Sequence, residues 1–214
     1  MLDYIKGMDV SSLDEIEQLG AVFFDKGEQK DLFEILKSYG TNYIRIRLWN
    51  DPKAVDGKPY GAGNTDYAVA LRLAKRTKAA GLKFLLDFHY SDFWADPGKQ
   101  RKPKAWEGYR VDELEQAVYA FTKEHMLKLI AEGVEPDMVQ VGNELSNGLL
   151  WPEGQWPNFD NIARFVSAGI RAVRETAPAC KIMIHLDNGG NNALYREWFD
   201  NYTERGEDFD VIGL

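Results

Sequence analysis

The chain has little of several residue types that common functional sites require. A single cysteine, Cys180, among 214 residues excludes an internal disulfide bond and a thiolate zinc site. No GxGxxG turn follows a predicted strand, and no GxSxG motif surrounds a serine. We therefore predict neither a dinucleotide-binding turn nor a serine nucleophile of the hydrolase type. With three histidines and no helical histidine pair, a zinc site is not expected.

Long apolar runs are also missing. No stretch approaches the length of a membrane span, and the first residues, Met1 to Lys6, contain no apolar signal-peptide core. The formal net charge of −8 would repel a polyphosphate ligand. Nucleic acid and membrane are therefore not expected partners, and the chain is expected to be cytosolic or a mature secreted form.

Short apolar runs with strand composition alternate with helical patterns along the whole chain. The predicted strands begin near Tyr4, Tyr43, Lys83, Asp137, Lys181 and Asp210, and the predicted helices cover residues 29–39, 66–81, 111–133, 159–176 and 192–205. Alternation of this kind predicts βαβ units, a parallel sheet and the α/β class. Because no linker composition interrupts it, we predict one domain over residues 1–214.

The predicted strands alternate between an apolar and a polar face. In the third strand Phe84, Leu86 and Phe88 lie on one face, whereas Asp87 and His89 lie on the other. A doubly wound sheet would be apolar on both faces. A (β/α)8 TIM barrel, whose polar interior opens at its carboxyl-terminal rim, explains the pattern better. Such a barrel needs eight units in typically ~250 residues. We expect about six units here, with strands seven and eight missing.

Several polar side chains stand where predicted strands end. Glu144 comes first, because a carboxylate at the end of an apolar strand is rarely needed for stability. The alternative to a catalytic role is a structural one, in which Glu144 forms an ion pair with Arg45 or Arg47. The other candidates are the neighbouring Asn143, the strand-end histidines His89 and His185, and the acids Asp9, Asp87 and Asp187 as partners for the two arginines.

Four tryptophans fall in polar loops instead of apolar runs. They are Trp94, Trp106, Trp151 and Trp156. Exposed indole rings suit a stacking surface, although each of them could equally pack within its loop. Carboxylates in a cleft bordered by aromatic rings are typical of glycoside hydrolysis.

Three long segments resemble one known family. Residues 44–52 (IRIRLWNDP), 86–97 (LDFHYSDFWADP) and 139–144 (VQVGNE) are similar to the endo-β-1,4-galactanases of glycoside hydrolase family 53. The shorter segments 6–9 (KGMD) and 185–187 (HLD) match as well. The resemblance covers essentially the whole chain, and the segments occur in the family's order.

The resemblance implies a TIM barrel and retaining hydrolysis of β-1,4-galactan, as found in the arabinogalactan side chains of pectin. By this resemblance Glu144 is the general acid/base, and an extracellular location follows. The residues implied in substrate binding are Asn143, Arg45, His89, His185, Asp187 and Trp94.

The chain departs from the family at its carboxyl end. The family's nucleophile is a second glutamate after strand seven, so we expect residues 1–214 to be inactive alone. No cofactor is expected, although the resemblance allows a calcium ion in the missing part. Two alternatives stay open. One is another barrel glycosidase, such as a mannanase or a xylanase, and the other is a non-catalytic galactan-binding fragment.

Overall fold

The centre of the molecule is a parallel sheet of six strands. A computed structural model describes residues 4–214. Each strand pairs with the next one along the chain, as expected for consecutive units of a (β/α)8 barrel. The strands are β1 Gly7–Asp9, β2 Tyr43–Leu48, β3 Lys83–Phe88, β4 Met138–Val141, β5 Lys181–His185 and β6 Val211–Gly213. The prediction of about six units of a barrel is confirmed.

Helices follow the strands in turn. They are α1 Leu13–Gln18, α2 Leu32–Ser38, α3 Tyr67–Ala79, α4 Val111–Ala131, α5 Phe159–Thr176 and α6 Asn192–Thr203. None of the helices within residues 4–214 is long and apolar enough to cross a membrane. The last four helices were predicted, with small differences at their ends.

The region before α2 differs from the prediction. Helix α1 was not predicted, and α2 begins at Leu32 instead of near residue 29. Residues Glu28–Lys30 form an antiparallel hairpin with Phe23–Asp25. The side chain of Asp31 then accepts a hydrogen bond from Phe33 N at 2.8 Å, which fixes the start of the helix because such caps satisfy its free N–H groups.

The predicted alternation of the strands is confirmed by burial. The outward apolar side chains of β2, β3, β4 and β5 lie in one core that the helices cover. On the inner face Tyr43, Leu85 and Met138 form a separate small cluster with Met183 and Val211. Polar side chains occupy the inner face nearer the carboxyl ends of the strands, so the interior becomes polar towards the rim.

Strand β4 is shorter than predicted. It ends at Val141, and Gly142 turns the chain with a φ of 81°. A Cβ atom at Gly142 would lie 2.7 Å from the side chain of Leu145, so glycine is required for this turn. The prediction that this strand ends at Glu144 is therefore wrong. Glu144 reaches the rim through a loop and not as part of the strand.

Candidate active site

A fully buried carboxylate, Asp87, is the centre of the polar cluster at the rim. It accepts hydrogen bonds from Arg45 Nη2 at 2.6 Å, from His89 Nε2 at 3.0 Å and from Gln140 Nε2 at 2.8 Å. Burial would raise the pKa of Asp87, but the positive charge of Arg45, together with His89, outweighs it and holds this pKa below its ordinary value. Asp87 is thus an anion that orders its neighbours.

Arg45 connects three of the residues that the sequence singled out. Besides Asp87, it contacts Asp9 Oδ2 through Nη1 at 3.0 Å and the amide oxygen of Asn143 through Nη2 at 2.8 Å. The expected pairing of Arg45 with Asp9 and Asp87 is confirmed. Asp187 was named as a third partner for the arginines, but it bonds instead with Ser146 and Asn188.

The orientation of the Asn143 amide follows from its partners. Its oxygen faces Arg45 Nη2 and lies 3.1 Å from Gln140 Nε2, whereas Nδ2 donates to the carbonyl of Ala95 at 2.8 Å. A flipped amide would place NH₂ against a guanidinium and an oxygen against a carbonyl, and both contacts would be repulsive. One proton of Nδ2 remains without a bond in this set.

His89 is held as a single tautomer. Its Nδ1 accepts the backbone N–H of Ala95 at 3.2 Å, so the ring proton lies on Nε2 and is donated to Asp87. The side chain is fully buried. His89 therefore ties β3 to the loop that carries Trp94.

Glu144 stands apart from this network. Its φ of 52° is left-handed, a conformation that costs a residue with a Cβ about 1–2 kcal/mol. Burial raises the pKa of its carboxyl group, and the charges of Asp187 and Asp96 raise it further against the opposing effects of His89 and Arg45. Arg45 pairs with Asp9 and Asp87, so the alternative of a structural ion pair with Glu144 is wrong for this arginine.

Arg47 does not pair with Glu144 either. Within residues 4–214 it forms no carboxylate ion pair. Its Nη2 donates to Ser12 Oγ at 3.2 Å and to the carbonyl of Ala62 at 2.9 Å. The guanidinium lies over the Trp94 ring at 4.1 Å from the centroid, a cation–π contact. The prediction of an acidic partner for Arg47 is wrong, because backbone, hydroxyl and indole groups surround the charge.

The remaining predicted residues lie on the β4–β5 side of the cluster. His185 Nδ1 is 3.1 Å from Asn143 Oδ1 and 3.4 Å from the backbone nitrogen of Glu144. Burial lowers the pKa of His185, which favours the neutral ring at neutral pH. Asp187 follows on the same side, where the hydroxyl of Ser146 bonds to it.

The four loop tryptophans have different environments. Trp106 is buried in the helix-covered core. It therefore packs within the fold and is not part of an exposed stacking surface. Trp94 is half-buried beside His89, with a centroid separation of 5.8 Å. Trp151 donates Nε1–H to the carbonyl of Asn147 at 2.8 Å. Trp156 is 47% exposed and the most accessible of the four.

Two residues of the cluster were not singled out from the sequence. Gln140 donates to Asp87 and Asn143 and accepts from Arg45 Nε at 3.2 Å. Its signal was present, since it is a polar residue on the inner face of a buried strand. Ser146 binds Asp187, and nothing in the sequence pattern distinguishes it. Among residues 4–214 no group of three or more His, Cys, Asp or Glu side chains is arranged to hold a metal ion.

Known proteins are similar to this chain in sequence and in fold. An endo-β-1,4-galactanase of Bacillus subtilis is 40% identical over 211 residues, which are 98% of this chain and 48% of that protein. The solved Ignisphaera aggregans GH53 catalytic domain superposes with a TM-score of 0.95 at 43% identity and covers 99% of this chain and 59% of its own. A fungal β-1,4-galactanase structure gives a TM-score of 0.90 at 37% identity, over 99% of this chain and 63% of its own.

The chain thus spans between 48% and 63% of the length of these relatives. The model of glycosyl hydrolase family 53 matches residues 5–214. The chain belongs to glycosyl hydrolase family 53.

Proposed function

We propose that this chain is the larger part of the catalytic domain of an endo-β-1,4-galactanase. Its substrate would be the β-1,4-linked galactan of arabinogalactan in pectin, and its location would be extracellular. Family membership and the printed activities of the relatives support this proposal. The observation that carries it is Glu144, a half-buried carboxyl group at the carboxyl end of β4 with a raised pKa and no partner among the arginines beside it.

Glu144 is the general acid/base in this proposal. A raised pKa keeps the carboxyl protonated nearer to neutral pH, as donation to the leaving-group oxygen requires. In the second step of retaining hydrolysis the same group, now ionised, takes a proton from the attacking water. The negative charges of Asp187 and Asp96 favour the protonated form of Glu144 that the first step requires. Departure of the leaving sugar then exposes Glu144 to the water that it activates.

The ordered cluster holds the substrate against Glu144. Asn143 has one N–H free, which is suited to a sugar hydroxyl, because its other polar atoms are bonded to Arg45, Gln140 and Ala95. His185 and Arg45 line the same region, with Asp187 at its edge, whereas the fully buried His89 acts indirectly by holding Asp87 and the backbone of Ala95. Trp94, which is half-buried beside Arg47, offers a sugar platform.

The nucleophile is expected beyond residue 214. Retaining enzymes place two carboxyl groups about 5 to 5.5 Å apart. The named acids near Glu144 already have partners. Asp9 and Asp87 bind Arg45, Asp96 binds Lys99, and Asp187 binds Ser146. A calcium ion would likewise be bound by residues beyond 214.

The experiment that tests this function uses the protein containing this chain together with its downstream residues. Hydrolysis of β-1,4-galactan, mannan and xylan is compared, and the anomeric form of the first product is followed by NMR. We expect cleavage of galactan with a β-anomer formed first. Preferred cleavage of mannan or xylan would support the other glycosidases, and binding without cleavage would support the non-catalytic module.

A further inference from the structure

Gln100 is a buried residue of the loop between β3 and α4, and it contacts the main chain on both sides of Glu144. Its amide nitrogen Nε2 donates to the carbonyl of Asn143 at 2.7 Å and to the carbonyl of Glu144 at 3.2 Å. The residue is 2% exposed, so both contacts lie away from water. The orientation of the amide follows from its partners, because a flipped group would place Oε1 against two carbonyl oxygens.

The two carbonyls belong to the peptide groups that flank the Cα atom of Glu144. The carbonyl of Asn143 is in the peptide group before this atom, and the carbonyl of Glu144 is in the peptide group after it. The rotations of the two planes about the Cα atom are φ and ψ, the only soft backbone dihedral angles of a residue. A donor that binds both carbonyls therefore restricts φ and ψ of Glu144, and with them the direction of its Cα–Cβ bond.

The conformation of Glu144 allows a single amide to reach both carbonyls. Its φ of 52° and ψ of 56° are left-handed helical values, and successive carbonyls of a helical backbone point in nearly the same direction. The left-handed region is disfavoured for a residue with a Cβ atom, so this conformation persists only where the surrounding structure holds it. The two hydrogen bonds from Gln100 contribute directly to holding it.

Gln100 is itself anchored, and so is the chain beyond Glu144. The carbonyl of Gln100 accepts the backbone N–H of Trp151 at 2.7 Å. The carbonyl of Leu145 accepts Nε1–H of Trp198 at 2.8 Å. Side chains from two other parts of the chain thus bind the carbonyls of three successive residues, and Gln100 binds the two that define the conformation of Glu144.

Glutamine provides the number of donors that this contact requires. Its NH₂ group has two protons, one for each carbonyl. A leucine at this position would fill a similar volume but would leave both carbonyls without this donor. A glutamate would present only oxygen atoms when ionised and a single proton when neutral.

We propose that Gln100 is a positioning residue, which aims the carboxyl group of Glu144 at the leaving-group oxygen by fixing the backbone of Glu144. This inference rests on the proposed function, in which Glu144 is the general acid/base. Gln100 acts through Glu144 and not on the substrate. Its effect on the rate is therefore confined to steps in which Glu144 transfers a proton.

Two substrates separate this role from a general structural one, in the protein that contains this chain together with its downstream residues. Gln100→Leu should lower kcat/KM for galactotetraose roughly 10- to 10²-fold, because a displaced general acid protonates the departing sugar poorly. It should leave kcat/KM for a dinitrophenyl β-1,4-galactobioside nearly unaltered, because a dinitrophenolate departs without a proton. An equal loss on both substrates, or no loss on galactotetraose, would overturn the inference.

A pH profile provides a second test, which also serves if Gln100→Leu does not fold. In Gln100→Glu the introduced carboxyl group can donate only when it is protonated. The ratio of its kcat/KM to that of the parent, measured on galactotetraose, should therefore rise as the pH falls. The matched control is Gln116→Glu, at an exposed position on α4, whose ratio should stay near one. A ratio for Gln100→Glu that is constant, or that rises with pH, would contradict the inference.

The crystal structure of Gln100→Leu separates this inference from the proposed function. We expect φ and ψ of Glu144 to change in this variant and to stay left-handed in Gln116→Leu. A changed Glu144 in a protein whose parent cleaves no galactan would retain the control of the Glu144 backbone by Gln100 and reject the proposed activity. Cleavage of galactan by the parent, together with an unmoved Glu144 in Gln100→Leu, would reject the positioning role alone.

Discussion

Asn143 accepts a hydrogen bond from Arg45 through its amide oxygen, with 2.8 Å between Asn143 Oδ1 and Arg45 Nη2. Arg45 lies within β2, and Asn143 follows the end of β4. Through this contact the guanidinium that neutralises Asp87 also sets the direction of the amide beside Glu144. The orientation of the Asn143 amide therefore depends on the ion pair between Arg45 and Asp87.

Asn143→Ala should damage catalysis more than stability. Removing the amide eliminates an oriented hydrogen-bond donor that is proposed to bind the sugar. We expect kcat/KM to fall about 10²-fold. Stability should fall by about 1–3 kcal/mol, because Arg45 and Ala95 lose a partner. Steady-state kinetics and urea unfolding measure the two effects. Asn201→Ala removes an amide from α6 and is the control. A large stability loss with unchanged kcat/KM would contradict the sugar-binding role.

The sequence predicted the frame of this site because barrel strands follow simple rules. Apolar alternation identified the outward faces of β2 and β3, and strand-end position identified His89 and Glu144. It did not predict that Gly142 ends β4 early, since that depends on the close approach of Leu145.

Contacts between distant segments were the least predictable part. Arg47 was expected to have an acidic partner, but it lies over Trp94 and against the carbonyl of Ala62. Gln140 was visible as an inner-face residue, yet its contacts with Arg45 and Asp87 depend on how neighbouring strands are staggered. Local patterns contain no information on that stagger.

Asp187→Asn should shift the basic limb of the pH–activity profile to lower pH. The carboxylate of Asp187 raises the pKa of Glu144, so its removal favours the ionised form and lowers that pKa. The acid form of Glu144 is then lost at a lower pH. Profiles of kcat/KM against pH would measure the shift. Asp96→Asn should act in the same direction, and the exposed Asp200→Asn should have no effect. An upward shift in Asp187→Asn would contradict this electrostatic account.

Asp87→Asn should destabilise the fold by about 3 kcal/mol at neutral pH, because the half-buried charge of Arg45 loses its buried carboxylate partner and keeps only Asp9. The pKa of Asp87 is lower in the folded chain than its ordinary value. Its stabilising effect is therefore complete above the ordinary pKa and is lost as the pH falls through the folded value. The difference in unfolding free energy between parent and variant should shrink on acidification. Urea unfolding over a pH series tests this, with the exposed Asp208→Asn as control, and a difference independent of pH would refute it.

Trp94→Ala should weaken the binding of galacto-oligosaccharides about tenfold, because the half-buried indole is proposed to stack on a sugar ring and apolar burial is favourable at roughly 25 cal/mol per Å². The Trp94 ring also contacts the guanidinium of Arg47, so the variant also needs a stability measurement. Isothermal titration of the Glu144→Gln protein with and without Trp94→Ala measures the affinity. Tyr109→Ala, at 38% exposure, is the aromatic control. Unchanged affinity in a folded variant would remove Trp94 from the site.

Residues 1–214 alone should not hydrolyse galactan at an enzymatic rate. The retaining mechanism needs a second carboxyl group about 5 to 5.5 Å from Glu144, and the acids named beside it are bonded to other groups. A protein extended to the full length of the relatives should be active, and Glu144→Gln in that protein should lose about 10²- to 10⁴-fold, as expected for one acid/base group. Glu124→Gln, an exposed glutamate on α4, is the matched control. Full activity from residues 1–214, or from the extended Glu144→Gln protein, would place the chemistry on other carboxylates.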